Sequence, residues 1–147
     1  MNGIEFLSDS AKLYQNTVMP VCKKYGLTYM EFSVLMFLYN NPQYNTAAQV
    51  VAMRHIAKSH VSVSVNSLME KGLLSGEKCP DKRITRLSVT ENGASVAKNG
   101  RAAQKEFAEI LCGGFSARER ETFLTLLNKM GANVADYFNV KRSGYSG

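Results

Sequence analysis

The chain has 147 residues, of which 45% are hydrophobic, and this is enough for one folded domain with a buried core. The formal net charge of +6 suits a polyanionic partner, although charge alone says nothing about the fold. The first residues show no basic segment followed by an apolar run, and no apolar stretch approaches the ~20 residues of a membrane helix. We therefore expect a cytoplasmic protein with no membrane partner.

The cysteines and histidines exclude several classes of site. Cys22, Cys79 and Cys112 are odd in number and widely spaced, which favours a reducing compartment over a disulfide framework. The chain contains no Cys-x-x-Cys or His-x-x-x-His pair, so we predict neither a metal site nor a cofactor. Gly-x-Ser-x-Gly, a Gly-rich phosphate loop and His-Glu-x-x-His are also absent, and we do not predict an enzyme.

The first predicted helix is amphipathic. Its apolar residues recur at steps of three or four: Leu7, Ala11, Tyr14, Val18, Val21 and Tyr25. Pro20 predicts a kink or a break, with a second helical piece running to Tyr25, and Gly26 ends the segment.

Two capping-box patterns mark the next two helices. Thr28 and Glu31 open a helix that Asn40-Asn41-Pro42 ends. Thr46 and Gln49 open a short helix, which the turn Arg54-His55-Ile56-Ala57 separates from a fourth one.

The fourth segment can be interpreted in two ways. Residues 60–65 alternate with period two, as a strand would. The apolar pattern nevertheless continues with helical spacing through Val61, Val65, Leu68 and Met69, and Lys71-Gly72 supplies a helix ending, so we predict a helix. Its opposite face then carries Ser59, Ser62, Val63 and Asn66.

That opposite face has the chemistry of a base-reading surface. An exposed Val63 could contact a thymine methyl group, Asn66 could pair with an adenine edge, and the two serines could reach bases or phosphates. A small, weakly polar surface helix is the alternative interpretation.

A basic β-hairpin is predicted after this helix. Residues 73–78 and the alternating run 84–89 form the strands, and residues 79–83 form the turn. Because residues 59–70 contain no Lys or Arg, most phosphate contacts must come from flanking cations, namely Arg54, Lys58, Lys82, Arg83 and Arg86. A helix pair followed by a hairpin predicts a winged helix-turn-helix that binds double-stranded DNA.

Two long helices complete the chain. Thr90 caps the first, Gly100 inside it lowers its helix propensity, and Gly113-Gly114 ends it. Ser116 and Glu119 open the last helix, whose apolar residues are Phe123, Leu127, Met130, Val134, Tyr137 and Phe138. A small winged-helix core cannot cover both end helices, and this surplus predicts an interface.

We therefore predict a mainly α protein with a small β-hairpin wing, forming a single domain over residues 1–147. Within it, residues 28–93 form the winged helix-turn-helix DNA-binding lobe. Residues 1–26 and 94–140 form a helical dimerisation region, in which the long N- and C-terminal helices build the interface.

Several motifs together resemble the MarR family of bacterial transcription regulators. They are Leu68-Met69-Glu70-Lys71-Gly72-Leu73, then Asp81-Lys82-Arg83, then Leu87-Ser88-Val89-Thr90-Glu91-Asn92-Gly93. Gly26-Leu27-Thr28 and Phe32-x-x-Leu35 also match the family's second-helix entry, and the resemblance covers almost the whole chain. Two residues depart from the family pattern: Val63 stands where the family often has Arg, and Val89 replaces the usual Leu.

The resemblance implies roles for individual residues. Arg83 becomes the minor-groove side chain at the wing tip, and Asp81 the carboxylate that holds the wing in shape. The family also implies a homodimeric regulator, usually a repressor, on a pseudo-palindromic operator, with DNA released by a small aromatic or anionic effector. Because Val63 departs from the pattern, the family's base preference cannot be transferred.

The trigger is open at this point. A ligand could lie between the long helices and the DNA-binding lobe, with candidate walls at Tyr14, Val18, Phe32, Met36 and Phe107. All five could equally be plain core. The rival trigger is oxidation at Cys22, because the ammonium groups of Lys23 and Lys24 would favour its thiolate. A winged-helix module for protein binding is a further alternative, which the polar face of the fourth helix disfavours.

Overall fold

The computed structural model describes residues 2–138, and the order of its elements is the predicted one. The helices are α1 (Gly3–Tyr25), α2 (Tyr29–Asn40), α3 (Ala47–Arg54), α4 (Lys58–Glu70), α5 (Glu91–Leu111) and α6 (Ala117–Tyr137), and the strands are β1 (Leu74–Lys78) and β2 (Thr85–Val89). The winged helix-turn-helix prediction is confirmed. None of these helices is long and apolar enough to cross a membrane. Residues 139–140, predicted to end the dimerisation region, lie outside the described residues.

The chain contacts divide into two compact units. The first, residues 2–107, contains the helix-turn-helix, the hairpin and most of α5; the second, residues 108–138, contains the end of α5 and α6. In the first unit α2 is central, because it contacts α1, α3, α4 and β2. The second unit has an edge-to-face pair of rings, Phe115 and Phe123, with centroids 5.9 Å apart.

The helix starts follow the predicted capping boxes. Thr28, Thr46 and Ser116 each accept a hydrogen bond from the third helical amide, and the side chains of Glu31, Gln49 and Glu119 accept from the cap amides in return. Sequence inspection missed a fourth box, in which Asn2 and Glu5 cap α1. These side chains satisfy amides that a helix start leaves without partners.

Of the kink or break predicted at Pro20, the break does not occur, because α1 runs without interruption to Tyr25. Proline removes one backbone hydrogen bond, which costs ~3 kcal/mol or more in a helix interior. Val18 and Cys22 on either side of it are completely buried in the core, and burying a valine side chain alone returns ~1.5–3 kcal/mol. Pro20 itself is exposed, so burial of its neighbours keeps the helix whole.

Part of the apolar stripe predicted for α1 does not reach the core. Leu7 and Ala11 are exposed, whereas Val18 is buried and Tyr14 is half-buried. In the second unit no residue of α6 is buried. The apolar surplus that the sequence predicts at both ends of the chain is therefore present as exposed surface.

Two glycines allow elements to approach closely. A Cβ at Gly100 would overlap the sulfur of Met36 and lie 3.0 Å from a ring carbon of Phe32, so this glycine lets α5 pack against α2. A Cβ at Gly93 would overlap the carbonyl oxygen of Leu73. Gly100 lowers the helix propensity of α5, but it is needed for the close packing of α5 against α2.

Candidate nucleic-acid interface

The helix-turn-helix consists of α3, a three-residue turn and α4. His55 ends α3 in the left-handed region with φ of 51°, which is uncommon for a residue with a side chain. Together with Ile56 and Ala57 it turns the chain so that α4 packs on both α2 and α3. The predicted boundary at Arg54-His55-Ile56-Ala57 is confirmed.

Helix α4 has one buried and one open face, as its helical spacing predicts. Val61, Val65 and Leu68 belong to the core, so the strand interpretation of residues 60–65 is wrong. Val63 is 69% exposed, and Ser59 and Asn66 are exposed too. Ser62 is half-buried. The four residues predicted to read bases therefore lie away from the core, with a thymine-contacting methyl pair available on Val63.

The two ends of α4 are held differently. Its N-cap, Ala57, makes no side-chain cap hydrogen bond. At the other end Gly72 adopts φ of 71°, and the amides of Gly72 and Leu73 donate to the carbonyl oxygens of Met69 and Leu68. This is the hydrogen-bonded ending that glycine permits just past a helix.

The predicted DNA-contacting cations are all exposed: Arg54, Lys58, Lys82, Arg83 and Arg86. Arg54 also has a protein partner, because its Nη2 donates to Ser33 Oγ at 2.9 Å. A guanidinium carries five N–H donors, so this bond leaves further donors for a phosphate.

The wing is a two-stranded antiparallel hairpin with an ordered tip. Asp81 Oδ1 accepts from the Arg83 amide at 3.1 Å and lies 3.6 Å from Arg83 Nε. The Ile84 amide donates to the Asp81 carbonyl, which closes the turn. The Arg83 side chain remains 94% exposed. The carboxylate can thus shape the tip while the guanidinium stays open to solvent.

Hydrogen bonds tie the base of the wing to the helices. The Leu87 amide donates to the carbonyl of Asn45 in the α2–α3 loop at 2.7 Å. Thr90 Oγ1 donates to the Gly72 carbonyl and accepts from the Gly93 amide, so the predicted cap of α5 also fastens the wing to the end of α4. These bonds fix the hairpin relative to α4.

A partly buried ion pair at the C-terminal end of α4 escaped the sequence prediction. Lys71 Nζ lies 2.8 Å from Glu31 Oε2 and donates to the Gly26 carbonyl, also at 2.8 Å. Burial alone would raise the pKa of Glu31, but hydrogen bonds from Lys71, Ser67 and Thr28 hold it below its usual value. The capping box identified Glu31 and the helix ending identified Lys71, but nothing in their spacing linked the two.

The five candidate pocket walls lie on α1, α2 and α5 within the first unit. Val18, Phe32 and Met36 are buried core residues. Tyr14 and Phe107 are half-buried with ring centroids 5.2 Å apart, and Gln104 Nε2 donates to the Tyr14 hydroxyl at 2.8 Å. A cavity of about 370 Å³ lies elsewhere, between the end of α2, the loop after it, β2 and the start of α5, and none of the five lines it.

The environment of Cys22 opposes the redox interpretation. The side chain is completely buried, and burial raises the pKa of its thiol. Lys23 and Lys24 are exposed, and the Lys24 ammonium lies 5.3 Å from the centre of the Tyr25 ring. Oxidation requires an accessible thiolate, which these surroundings disfavour. Among residues 2–138 no three His, Cys, Asp or Glu side chains are grouped so as to hold a metal ion.

Sequence comparison finds a known family similar to the segment that carries the helix-turn-helix and the wing. A model of the MarR family matches residues 25–83, from the end of α1 to the wing tip. The HTH-type transcriptional regulator YybA of Bacillus subtilis (strain 168) is 27% identical over 124 residues, which cover 82% of this chain and 81% of that protein. Residues 25–83 of the chain are thus similar to the MarR family.

Solved MarR-type structures share the fold of most of the chain. A MarR regulator from Methanosarcina mazei Go1 superposes with a TM-score of 0.80 at 21% identity, covering 90% of this chain and 96% of that one. MepR of S. aureus, solved as a DNA complex, gives 0.70 at 18% identity, with coverages of 91% and 96%. BpsR of Bordetella bronchiseptica, whose DNA binding is regulated by 6-hydroxynicotinic acid, gives 0.68 at 22%, with coverages of 86% and 96%.

Proposed function

We propose that this chain is a transcription regulator of the MarR family, a homodimeric repressor that binds a pseudo-palindromic operator and releases it when a small aromatic or anionic ligand binds. The observation that carries the proposal is the open face of α4, where Ser59, Val63 and Asn66 are exposed on a helix whose other face is core. The exposed wing cations lie on the hairpin that follows it. MepR, which has the same fold, binds DNA.

Base reading by α4 is tested by selecting preferred duplexes from a random pool with the purified protein. We expect a two-fold symmetric sequence with half-sites about 34 Å apart, because a symmetric dimer places its two reading helices one DNA turn apart. Asn66→Ala should relax the preference at one base pair per half-site and weaken binding by ~1–3 kcal/mol. Glu70→Ala, an exposed change at the far end of the same helix, is the control.

Phosphate contacts from the wing and from Arg54 and Lys58 predict a steep salt dependence. The slope of log affinity against log salt should be about −0.9 for each phosphate contacted. Selection of no sequence, together with a flat salt dependence, would contradict DNA binding. That result would favour a winged helix that binds another protein, and the search would turn to protein partners of the α4 face.

Repression and ligand response rest on the family relationship and on the small-molecule control of BpsR. We propose that the ligand binds where Tyr14, Gln104 and Phe107 meet, because two half-buried rings and an amide offer both apolar and hydrogen-bonding contacts. Tyr14→Phe removes the hydroxyl that Gln104 contacts and should weaken the response to an aromatic acid without changing operator affinity in its absence. Release by mild peroxide that disappears in Cys22→Ser would instead support the redox alternative.

A further inference from the structure

We propose that Glu31 and Lys71 are positioning residues for DNA recognition: their partly buried ion pair sets the orientation of α4. This inference rests on the DNA-binding function proposed above. The pair joins three helix ends, because Gly26 caps α1, Glu31 belongs to the first turn of α2, and Lys71 caps α4.

The contacts at this junction are closely spaced and directional. Glu31 Oε2 accepts from Lys71 Nζ at 2.8 Å and from the Thr28 amide at 3.0 Å, while Lys71 Nζ also donates to the Gly26 carbonyl at 2.8 Å. The side chain of Glu31 is only 8% exposed and that of Lys71 is 35% exposed. One ammonium group therefore fixes the end of α4 against α1 and α2 at the same time.

Stability alone is a poor reason for such a pair. Removing charges from water costs free energy, and well-packed apolar side chains of similar volume often stabilise a protein equally well or better. What apolar side chains lack is direction, since hydrogen bonds restrict distance and angle whereas apolar packing tolerates small shifts. A directional contact at the end of a reading helix is expected where orientation matters.

Because α4 is one continuous helix, the orientation of its C-terminal end determines the position of the residues at its N-terminal end. The helix starts at Lys58, its N-cap Ala57 makes no side-chain cap hydrogen bond, and its N-terminal half carries the exposed Ser59 and Val63. Thirteen residues span ~20 Å, so a tilt of about 5° at the C-terminal end would move the N-terminal end by about 1.7 Å. That displacement exceeds the ~0.5 Å range of a good hydrogen bond and would misplace the side chains that read bases.

The test uses a double variant, Glu31→Gln with Lys71→Met, in the full chain. Glutamine keeps the capping box, as Gln49 does in α3, and methionine keeps the length of the lysine stem. No unpaired charge remains, and the net charge of the protein is unchanged. We expect a melting temperature equal to or above that of the wild type. We also expect affinity for the selected operator to fall about tenfold, while affinity for a scrambled duplex at the same salt does not change.

Two further variants complete the experiment. Lys71→Arg keeps a donor to both Glu31 and Gly26, and operator affinity should stay within threefold of the wild type. Glu106→Gln with Lys98→Met removes the same charges from exposed positions of α5 and should leave the ratio of operator to scrambled affinity unchanged.

The failures can be told apart. If the wild type selects no sequence, the proposed DNA-binding function fails and the positioning role fails with it. If the wild type selects an operator and the double variant binds it within twofold of the wild type, only the positioning role is overturned. An equal loss of operator and scrambled binding would also overturn it, because misplaced reading side chains must affect the operator more.

Discussion

Arg83 and Asp81 at the wing tip divide two tasks between them. Asp81 accepts from the Arg83 amide and shapes the turn, while the Arg83 side chain is almost fully exposed. Arg83→Ala should therefore leave the melting temperature unchanged and, on the proposed insertion of its guanidinium into a DNA groove, weaken DNA binding by ~1–3 kcal/mol. Fluorescence anisotropy with the selected duplex measures the change. Arg118→Ala, an exposed change on α6, is the control, and equal affinities of Arg83→Ala and wild type would contradict the wing contact.

Glu31 makes the stability of the fold depend on pH. The native pKa of its carboxyl is lowered, since the hydrogen bonds from Lys71, Ser67 and Thr28 outweigh the effect of burial. A lowered native pKa means that the stabilisation is fully present above the unfolded-state pKa and is lost as the pH falls through the native pKa. The wild type should accordingly lose unfolding free energy as the pH falls below the ordinary pKa of a glutamate, about 4.3.

Glu31→Gln isolates this contribution, because glutamine does not titrate. Chemical denaturation at several pH values should give a shallower loss of unfolding free energy for this variant than for the wild type. Glu70→Gln, at an exposed position of α4, should follow the wild-type curve. Parallel curves for wild type and Glu31→Gln would show that the pair contributes nothing across this range.

At the scale of elements, the junction between β1 and α5 depends on a missing side chain. A Cβ at Gly93 would overlap the Leu73 carbonyl oxygen, which also accepts from the Thr90 amide at 3.2 Å. Gly93→Ala should thus destabilise the protein by ~1–3 kcal/mol, because the backbone must shift. Thermal unfolding measures the effect. Gly3→Ala, where a Cβ would meet nothing within 4 Å, should change stability by less than ~0.5 kcal/mol, and similar losses at both positions would refute this explanation.

The elements were predictable where the determinants are local. Capping boxes at Thr28, Thr46 and Ser116 and the apolar spacing of α4 need only neighbouring residues, and all are confirmed. Pro20 misled the prediction because the burial of Val18 and Cys22, a tertiary effect, outweighs a local cost. Gly100 has a low helix propensity, which made the helix pattern of α5 less clear in the sequence. Its advantage is also tertiary, because the missing side chain lets α5 approach Phe32 and Met36 of α2.

At the scale of the whole molecule, the site was only partly predictable. The exposed face of α4 follows from helical period alone. The Glu31–Lys71 pair joins residues 40 positions apart, and no periodicity connects them. The candidate ligand walls show the same limit: Val18 and Phe32 have no exposed surface, whereas Tyr14 and Phe107 are half-buried, and sequence spacing placed all of them alike on core-facing stripes.

The surplus of exposed apolar surface leads to the prediction of a homodimer. On α6 the exposed stripe comprises Leu127, Met130, Val134, Tyr137 and Phe138, and on α1 Ile4 and Leu7 are exposed as well. Continuous apolar stripes of this kind mark association surfaces, and a two-fold dimer buries the same patch on both copies. Sedimentation equilibrium at micromolar concentration should give twice the chain mass.

Leu127→Glu puts a charge in the middle of the α6 stripe and should shift the protein toward monomer. Affinity for a two-half-site operator should then be lost, but affinity for a scrambled duplex should not change. Lys129 lies about 130° around the same helix from the stripe, so its side chain faces away from the proposed contact. The control variant Lys129→Glu should therefore remain dimeric. A wild-type protein that sediments as a folded monomer, or a Leu127→Glu variant that stays dimeric, would show that these helices do not form the interface.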